Sequence, residues 1–153
     1  MPRLEDIEDP LKTLLAGLPC PTFATTPAVA GPSLRHRQVA IVSTAGLHLR
    51  TAPPFLGLSP EYREMPFSVQ PSDIVMSHVS PNFDRSGFQI DWNVAFPLDR
   101  LKELVRDGVV GAVAETHYSF MGATDPTLME SRARTMARRM KAEDTDAVLL
   151  VPI

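Results

Sequence analysis

The chain has 153 residues, a net charge of −3 and 44% hydrophobic residues, which is typical of a globular domain large enough to bury a core. No apolar run reaches the roughly 20 residues that a membrane-spanning helix needs, and no basic stripe follows the pattern of a nucleic-acid interface. We therefore predict neither a membrane nor a nucleic-acid partner. The acidic, broken N-terminal sequence lacks the pattern of a signal peptide, which favours the cytoplasm. A single cysteine, Cys20, excludes an internal disulfide.

The first 34 residues predict a short helix followed by an extended arm. Apolar residues recur at helical spacing within residues 4–16, and Asp9-Pro10 supplies a start signal before Leu11. Four prolines between residues 18 and 34 keep the following segment extended. We interpret this segment as an arm that lies on a surface, either of this domain or of another subunit.

Strands alternate with amphipathic helices over the remaining sequence. Two long helices are predicted, one opening at Phe96-Pro97-Leu98 and one running from Asp125-Pro126 to about Lys141. We therefore predict one α/β domain over residues 1–153, with the helix and arm in 1–34 and a Rossmann-like three-layer arrangement with a mainly parallel sheet in 35–153. Continuous apolar runs predict strands buried on both faces of that sheet at Val39–Val42, Ile74–Met76, Val109–Ala114 and Ala147–Val151.

The stretch Asp73–Leu101 is the most distinctive part of the sequence. Its apolar start turns abruptly polar at His78, and a loop follows that carries Asp84, Asp91 and Asn93 among several aromatic residues. Polar groups on a loop that aromatic side chains anchor indicate a site. The alternative is an ordered surface loop whose Asp and Asn side chains only close turns.

Three of the four histidines, His48, His78 and His117, directly follow predicted strands. Because the carboxyl ends of parallel strands meet at one edge of a sheet, we expect these side chains to lie close together. They could supply acid, base or anion-binding groups, or hold zinc; alternatively each bonds locally and they never meet. We take no residue as an assigned metal ligand. The catalytic candidates are His78, His117, Asp84, Asp91 and Asn93, and the substrate-binding candidates are His48, Tyr118 and Ser119.

Four stretches together resemble a known family. They are VAIVSTAGLHLR (39–50), DIVMSHVSPNFDRSGFQIDWNVAFPLDRL (73–101), HYSFMGATDP (117–126) and DAVLLVP (146–152), and they resemble the selenoprotein B family of glycine/sarcosine/betaine reductases and its D-proline reductase relatives. The resemblance runs in consistent order from about residue 18 to the end of the sequence. It implies an oxidoreductase component that acts on a small amine or amino acid.

The resemblance also implies a mechanism. A selenocysteine or cysteine that follows the last strand attacks a carbon beside an activated amine and cleaves the C–N bond reductively, and a second thiol resolves the adduct. Histidine or arginine near this nucleophile would lower its pKa and protonate the leaving amine. No cofactor is expected in this chain; in the glycine and D-proline enzymes a pyruvoyl group lies on a partner subunit.

The sequence ends at Ile153 without the expected nucleophile. We therefore expect a reading frame stopped at an in-frame opal codon, a chain that is inactive as given, and a last strand whose covering helix is missing. The uncovered Val148 and Leu150 predict a homo-oligomer or a partner reductase subunit. Two alternatives stay open: a non-catalytic ligand-binding or subunit-assembly module, and a metal-dependent hydrolase that uses the three histidines.

Overall fold

One buried strand organises the fold. β1 (Gln38–Ser43) carries an uncharged apolar run that is almost fully buried, and it has parallel partners on both sides. On one side lies β7 (Ala147–Val151), and on the other side β5 (Ala112–Val113) and β6 (Thr116–Ser119) follow each other along β1. β3 (Arg63–Pro66) pairs antiparallel with β6.

The structure is a computed structural model that describes residues 3–18, 21–25, 29–80 and 84–153. Cys20 lies outside the described residues. No helix within these ranges is both long enough and apolar enough to span a bilayer. The other elements are α1 (Leu11–Ala16), α2 (Ser86–Ile90), α3 (Leu98–Arg106), α4 (Pro126–Ala142), β2 (Leu47–Leu49) and β4 (Ile74–Met76), with 3-10 turns at Leu4–Asp6, Leu34–His36, Pro71–Asp73 and Trp92–Val94.

The two faces of the sheet bury separate cores. Consecutive strand residues point to opposite faces, so β1 contributes Ala40 and Val42 to one core and Val39 and Ile41 to the other. The first core lies under α4 and includes Met136, Met140 and Tyr118. The second is larger and includes Leu47, Met65, Phe96, Leu98 and Leu101.

The two predicted long helices are confirmed. α3 begins at Leu98 and ends before Asp107-Gly108, where Gly108 adopts a φ of 71° that favours glycine. α4 begins with a proline directly after Asp125, whose carboxylate accepts a hydrogen bond of 2.9 Å from the Thr127 amide. The N-terminal helix is shorter than predicted, because only a 3-10 turn and the six residues of α1 form within 4–16.

The predicted strand Ile74–Met76 forms, but outside the main sheet. As β4 it pairs antiparallel with β2 in a separate two-stranded sheet, so its prediction as an interior parallel strand is wrong. β2 contains His48, which was expected beyond the end of a strand. Gly46, at a φ of 65°, turns the chain three residues after the end of β1, and residues 47–49 then pair with β4 instead of forming a loop.

The predicted strand Val109–Ala114 is also corrected. Only the two residues of β5 are extended there, and His117, Tyr118 and Ser119 lie within β6 instead of beyond a strand. Val39 pairs with Val113 but Val42 pairs with Tyr118, so three steps along β1 correspond to five along its partner. The two extra residues form a bulge between β5 and β6.

β7 forms where it was predicted but is not buried. Within the described residues it pairs with β1 alone and lies at an edge of the sheet. Val148 is 42% exposed and Leu150 69%, so the expectation from the apolar run of a strand buried on both faces is wrong, whereas the expectation that Val148 and Leu150 are uncovered is confirmed. The five-stranded sheet has three parallel pairings and one antiparallel pairing in this part of the chain. The domain is thus mixed α/β; the Rossmann-like three-layer arrangement is not confirmed.

Candidate functional site

Three chain segments meet at the carboxyl ends of β1, β6 and β7. The Thr44 hydroxyl accepts a hydrogen bond of 2.8 Å from the Ile153 amide and donates one of 3.2 Å to the Ile153 carbonyl. The Gly122 amide donates to the Thr44 carbonyl at 2.8 Å. A Cβ at Gly122 would lie 2.7 Å from the Thr44 carbonyl oxygen and 2.8 Å from that of Ile153. Glycine therefore permits this close approach of three backbones.

The segment after β4 joins these three at Gly46. The Ser77 amide donates to the Gly46 carbonyl at 2.9 Å. A Cβ at Gly46 would lie 3.1 Å from the His78 backbone nitrogen. His78 consequently lies beside the loop 44–46, two residues along that loop from the threonine that is bonded to Ile153. We call the residues Thr44, Gly46, Ser77, His78, Gly122 and Ile153 the carboxyl-edge cluster.

His78 is held firmly at this edge. Its side chain is 6% exposed, Nδ1 accepts a hydrogen bond of 3.2 Å from the Ser80 amide, and the Arg85 guanidinium donates to its carbonyl oxygen. Burial, and then the positive charge of Arg85, lowers the pKa of His78 below its usual value. The imidazole is therefore mostly neutral at pH 7, and because Nδ1 accepts an amide proton, Nε2 carries the hydrogen.

His117 occupies the interior of the sheet. It is 0% exposed, its Nδ1 accepts a hydrogen bond of 3.0 Å from the Ile41 amide, and its ring packs edge-on against Phe96 with centroids 5.6 Å apart. Burial, and then Lys102, lowers its pKa to about 4. The imidazole thus fills the gap that the bulge opens in the β1 ladder. Because this ring is fully buried inside the sheet, His117 does not join His78 at an open edge, contrary to the expectation that the strand-end histidines converge there.

Tyr118 and Ser119 are interior residues of β6, and each is 0% exposed. Tyr118 packs beneath α4, where burial, and then the charge of Glu143, raises the pKa of its hydroxyl to about 12. The Ser119 hydroxyl accepts a hydrogen bond of 2.9 Å from the Leu47 amide. Both side chains therefore contact protein, and their predicted role in substrate binding stays a prediction.

Asp84, Asp91 and Asn93 make the contacts of turn-closing residues. Asp84 accepts a hydrogen bond of 2.8 Å from the Ser86 amide, and Asp91 accepts one of 2.9 Å from the Asn93 amide. Hydrogen bonds from the side chains of Ser86 and Asn93, and then from their backbone amides, lower the pKa of Asp84 and Asp91, respectively. The Asn93 side chain in turn accepts from the Asp99 amide at 3.0 Å at the start of α3. Their contacts match the alternative of an ordered loop, and their predicted catalytic roles stay predictions.

The three histidines do not form a metal site. Across residues 3–18, 21–25, 29–80 and 84–153, no three His, Cys, Asp or Glu side chains are arranged to hold a metal ion. The His48 ring lies between the Leu49 carbonyl and the Ser77 hydroxyl, each 2.8 Å from a ring nitrogen. Nδ1 of His117 is occupied by the Ile41 amide. The hypothesis that His48, His78 and His117 together bind zinc is therefore wrong.

Sequence reasoning missed several residues of the carboxyl-edge cluster. Thr44 and Gly46 belong to a run of small residues that predicted only a tight turn, and Gly122 and Ser77 carried no assigned role. Their positions in the sequence could have indicated the site, because each of these residues lies within a few residues of the end of a strand.

Comparison with known proteins identifies the family. The sequence profile described as glycine/sarcosine/betaine reductase selenoprotein B matches residues 12–152. The chain belongs to this family. It is also 30% identical over 146 residues to the D-proline reductase subunit gamma of Acetoanaerobium sticklandii, an alignment that covers 90% of this chain and 60% of that relative. The chain thus spans about 60% of the length of this relative. No solved structure matches this chain significantly.

The stretches that carry the selenoprotein B resemblance are the ones that meet in space. Residues 39–50 supply Thr44 and Gly46, residues 73–101 supply Ser77 and His78, and residues 117–126 supply Gly122. The stretch 146–152 forms β7 and leads to Ile153, which the Thr44 hydroxyl binds. The four stretches on which the resemblance rests therefore come together at the carboxyl-edge cluster.

Proposed function

We propose that this chain forms part of a reductase component that cleaves a C–N bond of a small amine or amino acid, with the carboxyl-edge cluster at the substrate site. The observation that carries the proposal is the convergence at this cluster of all four stretches that resemble the selenoprotein B family. Ligands of parallel sheets bind outside the carboxyl ends of the strands, which is where the cluster lies.

The proposed reaction is balanced by a pair of thiols, or by a selenol and a thiol. The deprotonated nucleophile attacks the carbon that bears the amine; the C–N bond breaks, and the amine takes the bonding electron pair and a proton. A second thiolate then attacks the sulfur or selenium, and the released carbon takes a proton. The thiol pair is oxidised to a disulfide or selenenylsulfide, and its two electrons end in the new C–H bond.

In this proposal the residues of this chain stabilise the reacting groups by hydrogen bonds, and no cationic histidine lowers the pKa of the nucleophile. His78 lies beside the loop 44–46 and is mostly neutral at pH 7, so we assign its imidazole a hydrogen-bonding role toward the anion of the nucleophile or a substrate carboxylate. Thr44 fixes the backbone of Ile153 at the end of β7. Asp84, Asp91 and Asn93 hold the loop that follows His78.

A thiol placed at the cluster tests this proposal. A cysteine added after Ile153 should have a pKa below the roughly 8.5 of a free cysteine, measured as the rate of alkylation by iodoacetamide against pH. His78→Ala should raise that pKa, because the thiolate loses a hydrogen-bond donor. His36→Ala, which removes an exposed histidine from a distant 3-10 turn, is the matched control and should leave it unchanged.

The protein with a cysteine added after Ile153 also distinguishes a catalytic role from simple substrate binding. With dithiothreitol as reductant, the thiol variant should consume glycine, sarcosine or D-proline, alone or when partner subunits are supplied. A thiol pKa that is normal and insensitive to His78→Ala would contradict the site assignment. Amine binding without a lowered thiol pKa would favour a non-catalytic binding module.

We also propose that the chain works in an assembly located in the cytoplasm. Its relative from A. sticklandii is named as one subunit of D-proline reductase. If a pyruvoyl group activates the amine, we place it on a partner subunit. Exposed Val148 and Leu150 on the edge strand β7 offer a contact surface. Sedimentation at micromolar concentration should show an oligomer that Leu150→Lys weakens, and a clean monomer would contradict self-association.

A further inference from the structure

A directed chain of hydrogen bonds ends at the carboxyl-edge cluster. His48 Nδ1 lies 2.8 Å from the Leu49 carbonyl oxygen, and His48 Nε2 lies 2.8 Å from the Ser77 hydroxyl. His48 lies in β2 opposite Val75 of β4, and Ser77 directly follows the last residue of β4. The side chains of His48 and Ser77 therefore lie on the same face of the β2–β4 sheet.

The direction of this chain follows from its first acceptor. A carbonyl oxygen only accepts, so Nδ1 of His48 must carry a hydrogen and donate it. In the neutral imidazole Nε2 is then an acceptor, and it takes the hydrogen of the Ser77 hydroxyl. Since a hydroxyl has one hydrogen, the Ser77 oxygen is left with acceptor capacity alone.

The two ends of this chain differ in burial. His48 is 4% exposed and its ring packs edge-on against Phe55, with centroids 6.5 Å apart. Ser77 is only half-buried and lies between Gly46, which its amide binds, and His78. Among the described residues the Ser77 hydroxyl bonds to His48 and to no other group. An oriented hydrogen-bond acceptor therefore lies on a half-buried residue of the carboxyl-edge cluster.

We propose that Ser77, oriented by His48, selects amines that carry at least one N–H. An ammonium N–H is a charged hydrogen-bond donor. Because the Ser77 oxygen can only accept, it forms a hydrogen bond with such a donor but none with a quaternary ammonium, which has no N–H. This inference rests on the proposed function and narrows its substrate class to primary, secondary and tertiary ammonium compounds, with His48 as a positioning residue.

Methylation of glycine provides the test. Glycine, sarcosine, N,N-dimethylglycine and betaine have three, two, one and no ammonium N–H, while their size grows evenly. Binding to the intact chain is measured by calorimetry. We expect affinity to fall about tenfold at the last methylation, where the final N–H is lost, which is the scale of a hydrogen bond to a charged group. Steric bulk alone predicts similar steps along the series.

Three variants and one spectrum complete the experiment. Ser77→Ala should abolish the last step, Ser77→Thr should retain it, and Ser68→Ala, which removes an exposed hydroxyl elsewhere, should not change it. Imidazole 15N spectra should show His48 with its hydrogen on Nδ1. A hydrogen on Nε2, or a last step that persists in Ser77→Ala, would overturn the inference.

The failures of the two proposals are distinguishable. Equal binding of betaine and dimethylglycine would overturn the selectivity of Ser77 while leaving amine binding intact. If none of the four compounds binds, the substrate assignment of the proposed function fails and this inference fails with it.

Discussion

The centre of the sheet and its carboxyl edge each contain one histidine. The two residues have similar positions relative to predicted strands in the sequence, yet their surroundings in the structure differ. In the centre, His117 completes the backbone ladder by accepting the Ile41 amide, with no exposed surface. At the edge, His78 lies where four chain segments meet. The position of a histidine near the end of a strand therefore does not by itself indicate a functional site, because the strand register decides whether its ring faces a gap in the backbone ladder or a loop.

The first way to test this difference is to remove the central ring. His117→Ala should lower the free energy of unfolding by about 4 kcal/mol, because it leaves a cavity and an unsatisfied buried amide at Ile41. His117→Gln, which can restore an acceptor, should lose clearly less, and His36→Ala should be near neutral. Urea unfolding measures all three. A loss below about 1 kcal/mol for His117→Ala would mean that the ladder gap is closed in another way.

The close approach at the edge is tested by Gly122→Ala. The added Cβ would meet two backbone oxygens below 3.0 Å, so we expect a loss of about 2 to 3 kcal/mol, together with displacement of the end of β7. Gly87→Ala is the matched control, since its Cβ would meet only Val94 at 3.8 Å. Equal stability of the two variants would contradict the packing of residues 44, 122 and 153.

The pH dependence of stability separates the two regions further. The pKa of His117 is about 4 in the folded protein and 6.5 by reference, so the unfolded chain binds more protons between these values. Its contribution is fully present above about pH 6.5 and is lost as the pH falls toward 4. From pH 7 to 4.5 the wild type should lose about 2 kcal/mol more than His117→Gln. Parallel curves for the two proteins would show that His117 is not buried in its neutral form.

Local pattern predicted much of the fold. Apolar runs located the cores of β1, β4 and β7, and capping signals located the starts of α3 and α4. Pairing was harder, because an apolar run does not state which strand lies beside it. β4 reads like an interior strand and yet pairs with β2, and β7 reads as buried and yet lies at an edge.

The candidate site was predicted only in part, for a related physical reason. His78 was found because a strand leads directly to it. His117 was misplaced because the two-residue bulge that turns its ring toward Ile41 arises from register, which no local pattern of apolar residues encodes. Gly122 and Ser77 were missed because their roles depend on backbones far away in the sequence.

The smallest effect concerns the bond that ties the end of β7 to the edge. Thr44→Val removes both hydrogen bonds to Ile153 while keeping the volume of the side chain, so stability should fall by only about 1 kcal/mol. The Thr44 amide still donates to Val151 at 3.0 Å, and β7 should remain paired with β1. Hydrogen exchange should therefore accelerate at the Ile153 amide and remain slow along the β1–β7 ladder, whereas the exposed control Thr51→Val should change neither. In the protein with a cysteine added after Ile153, the same substitution should bring the thiol pKa back toward its free value, because the thiol is no longer held beside the cluster. Faster exchange throughout β7 would show instead that Thr44 supports the whole strand and does not specifically position its end.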